Sequence, residues 1–226
     1  PAPFVGAGEP GGGPGLQLGR FGRKASVSTI LQQTVGAYLE DMGITSTQLP
    51  DDNVHHLTPS SSTVDVAPDP EVSSATVQAV VHYLRALAPP APGAEGTEGR
   101  QLFSQVKCDA CHTPRLTTGP SPIPALAGRS VDLYSDLLLH DMGPELADGR
   151  PDEGASGSEW RTTPLWGLRL MRQFLNGDAF LLHDGRARTV DEAIRLHGGE
   201  ASAVRAAYLA LTPAQRTALL SFVESR

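Results

Sequence analysis

The spacing of apolar residues along the chain predicts a mainly helical protein. In the segments 28–42 and 74–87 apolar side chains recur at helical spacing, which is typical of helices with one buried face, and four further segments are also predicted to be helical. The predicted helices cover 28–42, 74–87, 98–106, 132–139, 189–197 and 212–224. No segment alternates apolar and polar residues over a useful strand length. We therefore expect a mainly α fold.

Glycine and proline divide this helical pattern. The 226 residues include 24 Gly and 19 Pro, which favours long loops between short helices. Residues 89–96 are almost wholly Pro, Ala and Gly, a composition typical of a linker. We therefore expect a domain boundary here, with one domain over 1–90, beginning in a Gly/Pro-rich arm, and a second over 91–226.

Two motifs in the first domain are weak indications of function. Residues 6–11 match GxGxxG, but no strand precedes them and Pro10 lies inside the motif, so a dinucleotide site is not expected. Asp51, Asp52, His55 and His56 could in principle bind a metal ion. Adjacent histidines in a loop have no imposed geometry, and a solvated loop is the favoured interpretation.

The charge balance and the hydropathy exclude two classes of partner. Eighteen Lys and Arg against 25 Asp and Glu give a formal net charge of −7, which argues against a nucleic-acid interface. No stretch approaches the roughly 20 apolar residues of a membrane span. The chain begins at Pro1 without a leader, so we expect a missing upstream part.

The chemistry is concentrated in the two cysteines. Cys108 and Cys111 precede His112 in a CxxCH motif, the attachment signature of c-type haem. Thiols three positions apart can each add to a haem vinyl group, and the adjacent imidazole can then bind the iron. A dithiol redox centre would need a βαβ context, and a zinc site would need two further ligands. We predict one covalent haem c, and hence a periplasmic or otherwise extracytoplasmic location.

The second axial ligand decides the function, because a haem with two protein ligands is normally an electron carrier. The candidates downstream of the motif are His140, Met142, Met171, His183 and His197. Met171 lies on an apolar stretch that favours packing in the core. His140 and Met142 are almost adjacent, so only one of them could point at the iron.

Several segments resemble one known family. The helix start at 99–103 leads into the motif at 108–114, and the further segments are 134–143, 160–167, 182–190 and 197–201. Together they resemble the di-haem cytochrome c peroxidase superfamily, most closely its di-haem oxidoreductase branch of CxxC-motif thiol oxidoreductase-like proteins. Residues 19–25, 40–45 and 77–90 resemble the part of such proteins that follows the first haem motif, which this chain lacks.

The resemblance implies a fold and a division of the chain. Residues 91–226 would form a whole cytochrome c-like haem domain with long loops. Residues 1–90 would be the remnant of an N-terminal cytochrome-like domain, a partial helical domain. The family often has an aromatic residue at the position of Arg23, and this chain departs from that pattern.

The resemblance also implies the ligands. The family's distal ligand follows a His-Asp-Gly type of motif at a fixed distance, and counting from His183 reaches His197. We therefore expect His112 and His197 as axial ligands, with Met142 as the alternative. If no haem is bound, His197 is expected to be a histidine at the end of a helix that interacts with the helix dipole. Arg186 is expected to pair with a haem propionate.

These expectations lead to a function with two rivals. The leading prediction is electron transfer through one covalently attached haem with two axial protein ligands, towards a redox partner protein or a second haem domain. The first rival is the electron-feeding half of a di-haem peroxidase or oxidoreductase whose catalytic haem lies on a missing segment or a partner chain. The second is a subunit of a larger redox complex. Calcium, bound between the halves of relatives, is a further candidate cofactor. Trp160 and Trp166 are expected to pack rather than to carry electrons.

Overall fold

The computed structural model describes residues 16–53, 67–94 and 96–226. The residues of the GxGxxG motif and of the His55 and His56 pair lie outside this described part. Seven α-helices and four strands of two or three residues lie within it, so the prediction of a mainly α chain is confirmed. No helix in the described part is both long and apolar enough to cross a membrane.

The chain divides into two compact units. The N-terminal unit comprises Pro1–Gly22 and Ser26–Leu87, and the C-terminal unit comprises Arg23–Ala25 and Ala88–Arg226. In the N-terminal unit, helix α1 (Ile30–Met42) packs against helix α2 (Ser74–Ala86). The contact buries Leu31, Val35, Val77 and Val81. Thr29 accepts from the Gln32 N–H and so caps α1, while Gly43 ends it in the left-handed conformation.

The C-terminal unit contains the remaining elements. Its helices are α3 (Thr97–Gln105), α4 (Leu168–Phe174), α5 (Val190–Leu196), α6 (Ser202–Leu209) and α7 (Pro213–Glu224). Strand β1 (Leu116–Thr117) pairs antiparallel with β2 (Ser130–Val131). Strand β3 (Leu139–Asp141) pairs antiparallel with β4 (Glu159–Arg161), with His140 opposite Trp160.

The core of this unit lies where α3 crosses α7. Phe103, Tyr134 and Phe222 meet edge to face, with ring centroids 5.5 to 6.0 Å apart. Gly99 of α3 lies against the backbone of α7, because a Cβ atom built there would lie 2.3 Å from the Ala218 carbonyl oxygen. This close crossing fixes the direction in which α3 delivers the chain to Cys108.

The helix predicted over 132–139 is wrong. Tyr134 and Leu137 have left-handed φ values of 55° and 62°, and the segment is extended. Its N–H groups bond to the chain around the cysteine motif instead of to their own helix: Ser135 donates to the Thr113 carbonyl at 3.0 Å and Asp136 to the Cys111 carbonyl at 2.9 Å. Tertiary pairing has therefore overridden the local apolar spacing.

Two helices were not predicted. Helix α4 contains the apolar stretch around Met171, but none of its residues is fully buried, so the expected core position of Met171 is wrong. Phe174, at its end, is 73 % exposed. Helix α6 buries only Tyr208.

Candidate functional site

The CxxCH motif forms a single tight turn at the end of α3. Lys107 takes the left-handed conformation with φ 70°, and a 3₁₀ turn over Cys108–Ala110 follows at once. The His112 N–H donates to the Cys108 carbonyl at 2.9 Å, which closes the turn. Two thiols and one imidazole are thereby presented from a segment of five residues. Both cysteines are free and half-buried.

The electrostatics of the two thiols keep them protonated. Burial raises the pKa of Cys108 to about 12, and the neighbouring Asp109 adds to the effect. Burial and the carboxylates of Asp136 and Glu200 raise the pKa of Cys111 as well. A dithiol redox centre needs a cysteine with a lowered pKa, because the thiolate is the nucleophile. This environment therefore argues against the thioredoxin-like interpretation.

The imidazole of His112 is neutral and oriented. Burial lowers the pKa of His112 to about 4, and the nearby imidazoles of His197 and His140 contribute to the lowering. Its Nδ1–H donates to the Tyr134 carbonyl oxygen at 3.0 Å. Within the described part of the chain no hydrogen bond engages Nε2. A neutral imidazole held through Nδ1 is the form in which histidine binds a metal.

His197 repeats the same arrangement. It follows α5 directly, and its Nδ1–H donates to the Ala193 carbonyl oxygen at 2.7 Å. Burial lowers the pKa of His197, and the charge of Arg205 adds to this. A capping box of Thr189 and Glu192 fixes the start of α5. His112 and His197 thus both have lowered pKa values and are each bonded through Nδ1 to a backbone carbonyl, and the charge of His197 contributes to the lowering at His112.

Met142, the alternative ligand, lies on a segment that touches the one following His197. A Cβ atom built on Gly198 would lie 2.8 Å from the Met142 carbonyl oxygen. The Met142 N–H donates to the Ser158 carbonyl at 2.9 Å, and its side chain is half-buried. The two candidate ligands are therefore neighbours, although 55 positions separate them in sequence.

His140 joins a network of carboxylates beside the motif. Its Nε2 lies 2.9 Å from Asp136 Oδ2 and its Nδ1 lies 2.9 Å from Glu200 Oε2. Burial pulls the pKa of His140 down, but the hydrogen bonds and charges of the two carboxylates outweigh it and raise the pKa overall. The sulfur of Cys111 lies 3.7 Å from Nδ1.

The same group has metal-ligating atoms within 4.8 Å of one another, from Cys111, Asp136 and His140. However, the sulfur and the Asp136 carboxylate lie at opposite nitrogens of the His140 ring, so the arrangement is that of a hydrogen-bond relay rather than a chelate.

Arg186 and His183 form a separate cluster. The Arg186 guanidinium pairs with Asp184 through Nε and donates from Nη1 to the Glu145 carbonyl at 2.9 Å. The His183 ring stacks on Trp160, with centroids 3.6 Å apart and an interplanar angle of 11°. Within the described residues, none of these contacts involves the Cys108–His112 turn or His197.

Trp160 is packed as expected. It is buried, its Nε1–H donates to the Leu146 carbonyl at 2.9 Å, and the Lys24 ammonium lies 4.2 Å from its ring centroid. Trp166 is 38 % exposed and is less buried than the packing prediction implies.

The comparisons with known proteins identify the family of this chain. The family model described as "Di-haem oxidoreductase, putative peroxidase" matches residues 5–226. The chain belongs to the di-haem oxidoreductase family. No curated protein matches it. Among solved structures, a chain of the Kuenenia stuttgartiensis hydrazine synthase pressurized with 20 bar xenon matches at 18 % identity and a TM-score of 0.41. The match covers 68 % of this chain and 56 % of that chain, so this chain spans little more than half of the other's length.

The family implies haem, and the donor set at the cysteine motif fits it. Two protonated thiols and an adjacent neutral imidazole are the groups that a haem c requires. This chain has two cysteines, and they supply one such motif, whereas the family's name refers to two haems.

Sequence reasoning missed the groups that orient these imidazoles. The acceptors at Tyr134 and Ala193 are backbone carbonyls, which no residue type indicates. The network of Asp136, His140 and Glu200 was also missed. Its local feature is the spacing of four between Asp136 and His140, whereas Glu200 lies 60 positions further along the chain, where no local pattern connects it to them.

Proposed function

We propose that this chain is a c-type cytochrome unit that transfers electrons through one haem, attached at Cys108 and Cys111 and bound axially by His112 and His197. The observation that carries the proposal is the matched pair of imidazoles. Both are neutral, and both have Nδ1 engaged by a backbone carbonyl and Nε2 available. When bound, a haem supplies one-electron redox chemistry.

The residues of the chain have distinct roles in this proposal. The Tyr134 carbonyl fixes the ring orientation and tautomer of His112, and the Ala193 carbonyl does the same for His197. If His112 and His197 both held the iron, no coordination position would be left open for a substrate. Bis-histidine ligation favours a lower potential than a His/Met pair does. Arg186 would pair with a haem propionate in addition to its bonds from Nε to Asp184 and from Nη1 to the Glu145 carbonyl.

Family membership favours one specific alternative, in which this unit feeds electrons to a second haem that performs peroxide chemistry. That haem would lie on a partner chain or on a segment outside this sequence. In both versions the partner is a redox protein or a second haem domain. In either version we propose a periplasmic or other extracytoplasmic location, because covalent attachment of a haem c would take place outside the cytoplasm.

The axial ligands can be tested directly on the oxidised haem-loaded chain. Low-temperature EPR and near-infrared magnetic circular dichroism should show a low-spin haem with bis-imidazole character. His197→Ala should replace this signal by a high-spin one and permit cyanide binding, while Met142→Ala should leave the spectrum unchanged. A methionine charge-transfer band in the wild type, lost in Met142→Ala, would contradict the assignment of His197.

The alternative function needs a second measurement. The isolated haem-loaded chain should not turn over peroxide, since both axial positions are occupied. Peroxide turnover that begins only when a second haem protein is added would favour the electron-feeding role. Turnover by the isolated chain would contradict the closed-haem proposal.

A further inference from the structure

The backbone of the turn that follows His197 packs closely against the backbone at the end of strand β3. A Cβ atom built on Gly199 would lie 2.1 Å from the Asp141 carbonyl oxygen, and one built on Gly143 would lie 2.8 Å from the Gly199 nitrogen. Only glycine permits so close an approach of two backbones. The chain immediately after the proposed distal ligand therefore lies directly on the end of β3.

Glu200 closes this contact with its carboxylate. Its Oε1 accepts from the Asp141 backbone N–H at 2.9 Å, and its Oε2 lies 2.9 Å from His140 Nδ1. One side chain thus binds both a main-chain and a side-chain group of β3. The glycines provide the close fit, and Glu200 provides the bonds that hold it.

The bonds continue from Glu200 to the cysteine motif. His140 Nε2 bonds to Asp136 Oδ2 at 2.9 Å, and the Asp136 N–H donates to the Cys111 carbonyl at 2.9 Å. Cys111 precedes His112, and Glu200 follows His197 by three positions. These hydrogen bonds of Asp136, His140 and Glu200, which we call the 136–140–200 clamp, therefore connect the segments that carry the two imidazoles.

We propose that Glu200, acting through His140 and Asp141, is a positioning residue that holds His197 in place as the distal ligand and keeps the sixth coordination position closed. The inference rests on the proposed function. Helix α5 fixes His197 from its N-terminal side through the Ile194 and Ala193 carbonyls. On the C-terminal side, Glu200 makes the side-chain hydrogen bonds between this turn and β3 among the described residues.

The size of the effect follows from the exposure of Glu200. Its side chain is 56 % exposed, so water can replace part of the hydrogen bonding that the carboxylate provides. Loss of the carboxylate should therefore increase transient release of His197 without abolishing ligation. We expect cyanide to bind the ferric protein about tenfold faster, which is the change that one moderate hydrogen bond produces.

The experiment uses the full haem-loaded chain. Cyanide association is measured by stopped flow for the wild type, Glu200→Ala, Glu200→Gln and His140→Ala, together with the EPR spectrum and the reduction potential. Glu200→Gln should show a smaller effect than Glu200→Ala, because an amide oxygen can still accept from the Asp141 N–H. Glu98→Ala is the matched control, since Glu98 is an exposed acid in the first turn of α3, and it should leave every readout unchanged.

The double variant of Glu200→Ala with His140→Ala tests whether the two residues act together. Its cyanide rate should be close to that of the faster single variant, because coupled residues are not additive. If Glu200→Ala fails to load haem, Glu200→Gln and His140→Ala decide the question by the same readouts.

The outcomes separate this inference from the function on which it rests. If the wild type has bis-imidazole character and Glu200→Ala leaves the cyanide association rate and the EPR spectrum unchanged, the positioning role of Glu200 is refuted and the proposed ligation is not. A wild type without bis-imidazole character would overturn the proposed ligation and this inference together.

Discussion

Substitution of Gly99 by alanine should destabilise the C-terminal unit through the crossing of α3 and α7. The new Cβ atom would lie 2.3 Å from the Ala218 carbonyl oxygen and 2.5 Å from the Cβ atom of Phe222. Both obstacles are rigid, so the two helices would have to move apart by about 1 Å to reach ordinary contact distances.

The free-energy change follows from two opposing effects. Overpacking of this kind costs about 1–3 kcal/mol. Replacing glycine by alanine in a helix returns about 0.5–1 kcal/mol. We expect a net loss of about 1–2 kcal/mol, which lowers the melting temperature by about 3–10 °C for a unit of this size.

The assay is urea and thermal unfolding of the haem-loaded protein, followed by far-ultraviolet circular dichroism. Because Phe222 contacts Tyr134, whose carbonyl orients His112, the EPR spectrum should also change. Gly36→Ala is the control, since nothing lies within 4 Å of a Cβ atom built at that position of α1, and it should stabilise the N-terminal unit by about 0.5–1 kcal/mol. A Gly99→Ala protein as stable as the wild type would refute the reasoning about the crossing.

Two further predictions concern the cluster around Trp160. Lys24→Met removes the ammonium that donates to Asp148 and to the Arg150 and Ser156 carbonyls. Loss of even one charged hydrogen bond, worth about 1.5 kcal/mol, should make local opening of this loop, and therefore cleavage after Glu153 by the protease Glu-C, roughly tenfold faster. An unchanged cleavage rate would contradict this role of Lys24. Burial lowers the pKa of His183, so the unfolded chain takes up its proton at a higher pH than the folded one, and stability should fall as the pH drops below about 6.5. His183→Phe keeps a ring on Trp160 and should flatten that decline in urea unfolding at pH 7.5 and pH 5.5; equal slopes for both proteins would argue against His183 as its source.

The long helices could be predicted because their signals are local. The segment 212–224 combines a Thr-Pro start with regular apolar spacing, and the structure has α7 over Pro213–Glu224 with Thr212 as its cap. Likewise 74–87 becomes α2, bounded by the Ser73 cap, and 189–197 becomes α5. Each of these helices carries its cap and its buried face within about fifteen residues.

The site was only half predictable for the same reason. The CxxCH motif is contiguous, and its chemistry can be inferred from residue types and spacing alone. The proposed pairing of His112 with His197 rests on a family resemblance, because 85 positions separate the two residues and no local pattern joins them. The orientation of both rings depends on main-chain carbonyls, which become acceptors only after distant segments have met.

The segment predicted wrongly as a helix, 132–139, builds the site together with the four residues that follow it. In its extended form, residues 134–143 reach the groups on both sides. The Tyr134 carbonyl binds His112, Asp136 binds both the Cys111 carbonyl and His140, and the end of β3 receives the glycines after His197. A helix over these residues would use its N–H and C=O groups internally and could serve neither imidazole. The extended form pairs its backbone groups with other segments, namely the cysteine turn, strand β4 and the Glu200 carboxylate, so all three must be in place to satisfy them. The two proposed ligand segments and the segment between them are therefore expected to fold as one cooperative unit.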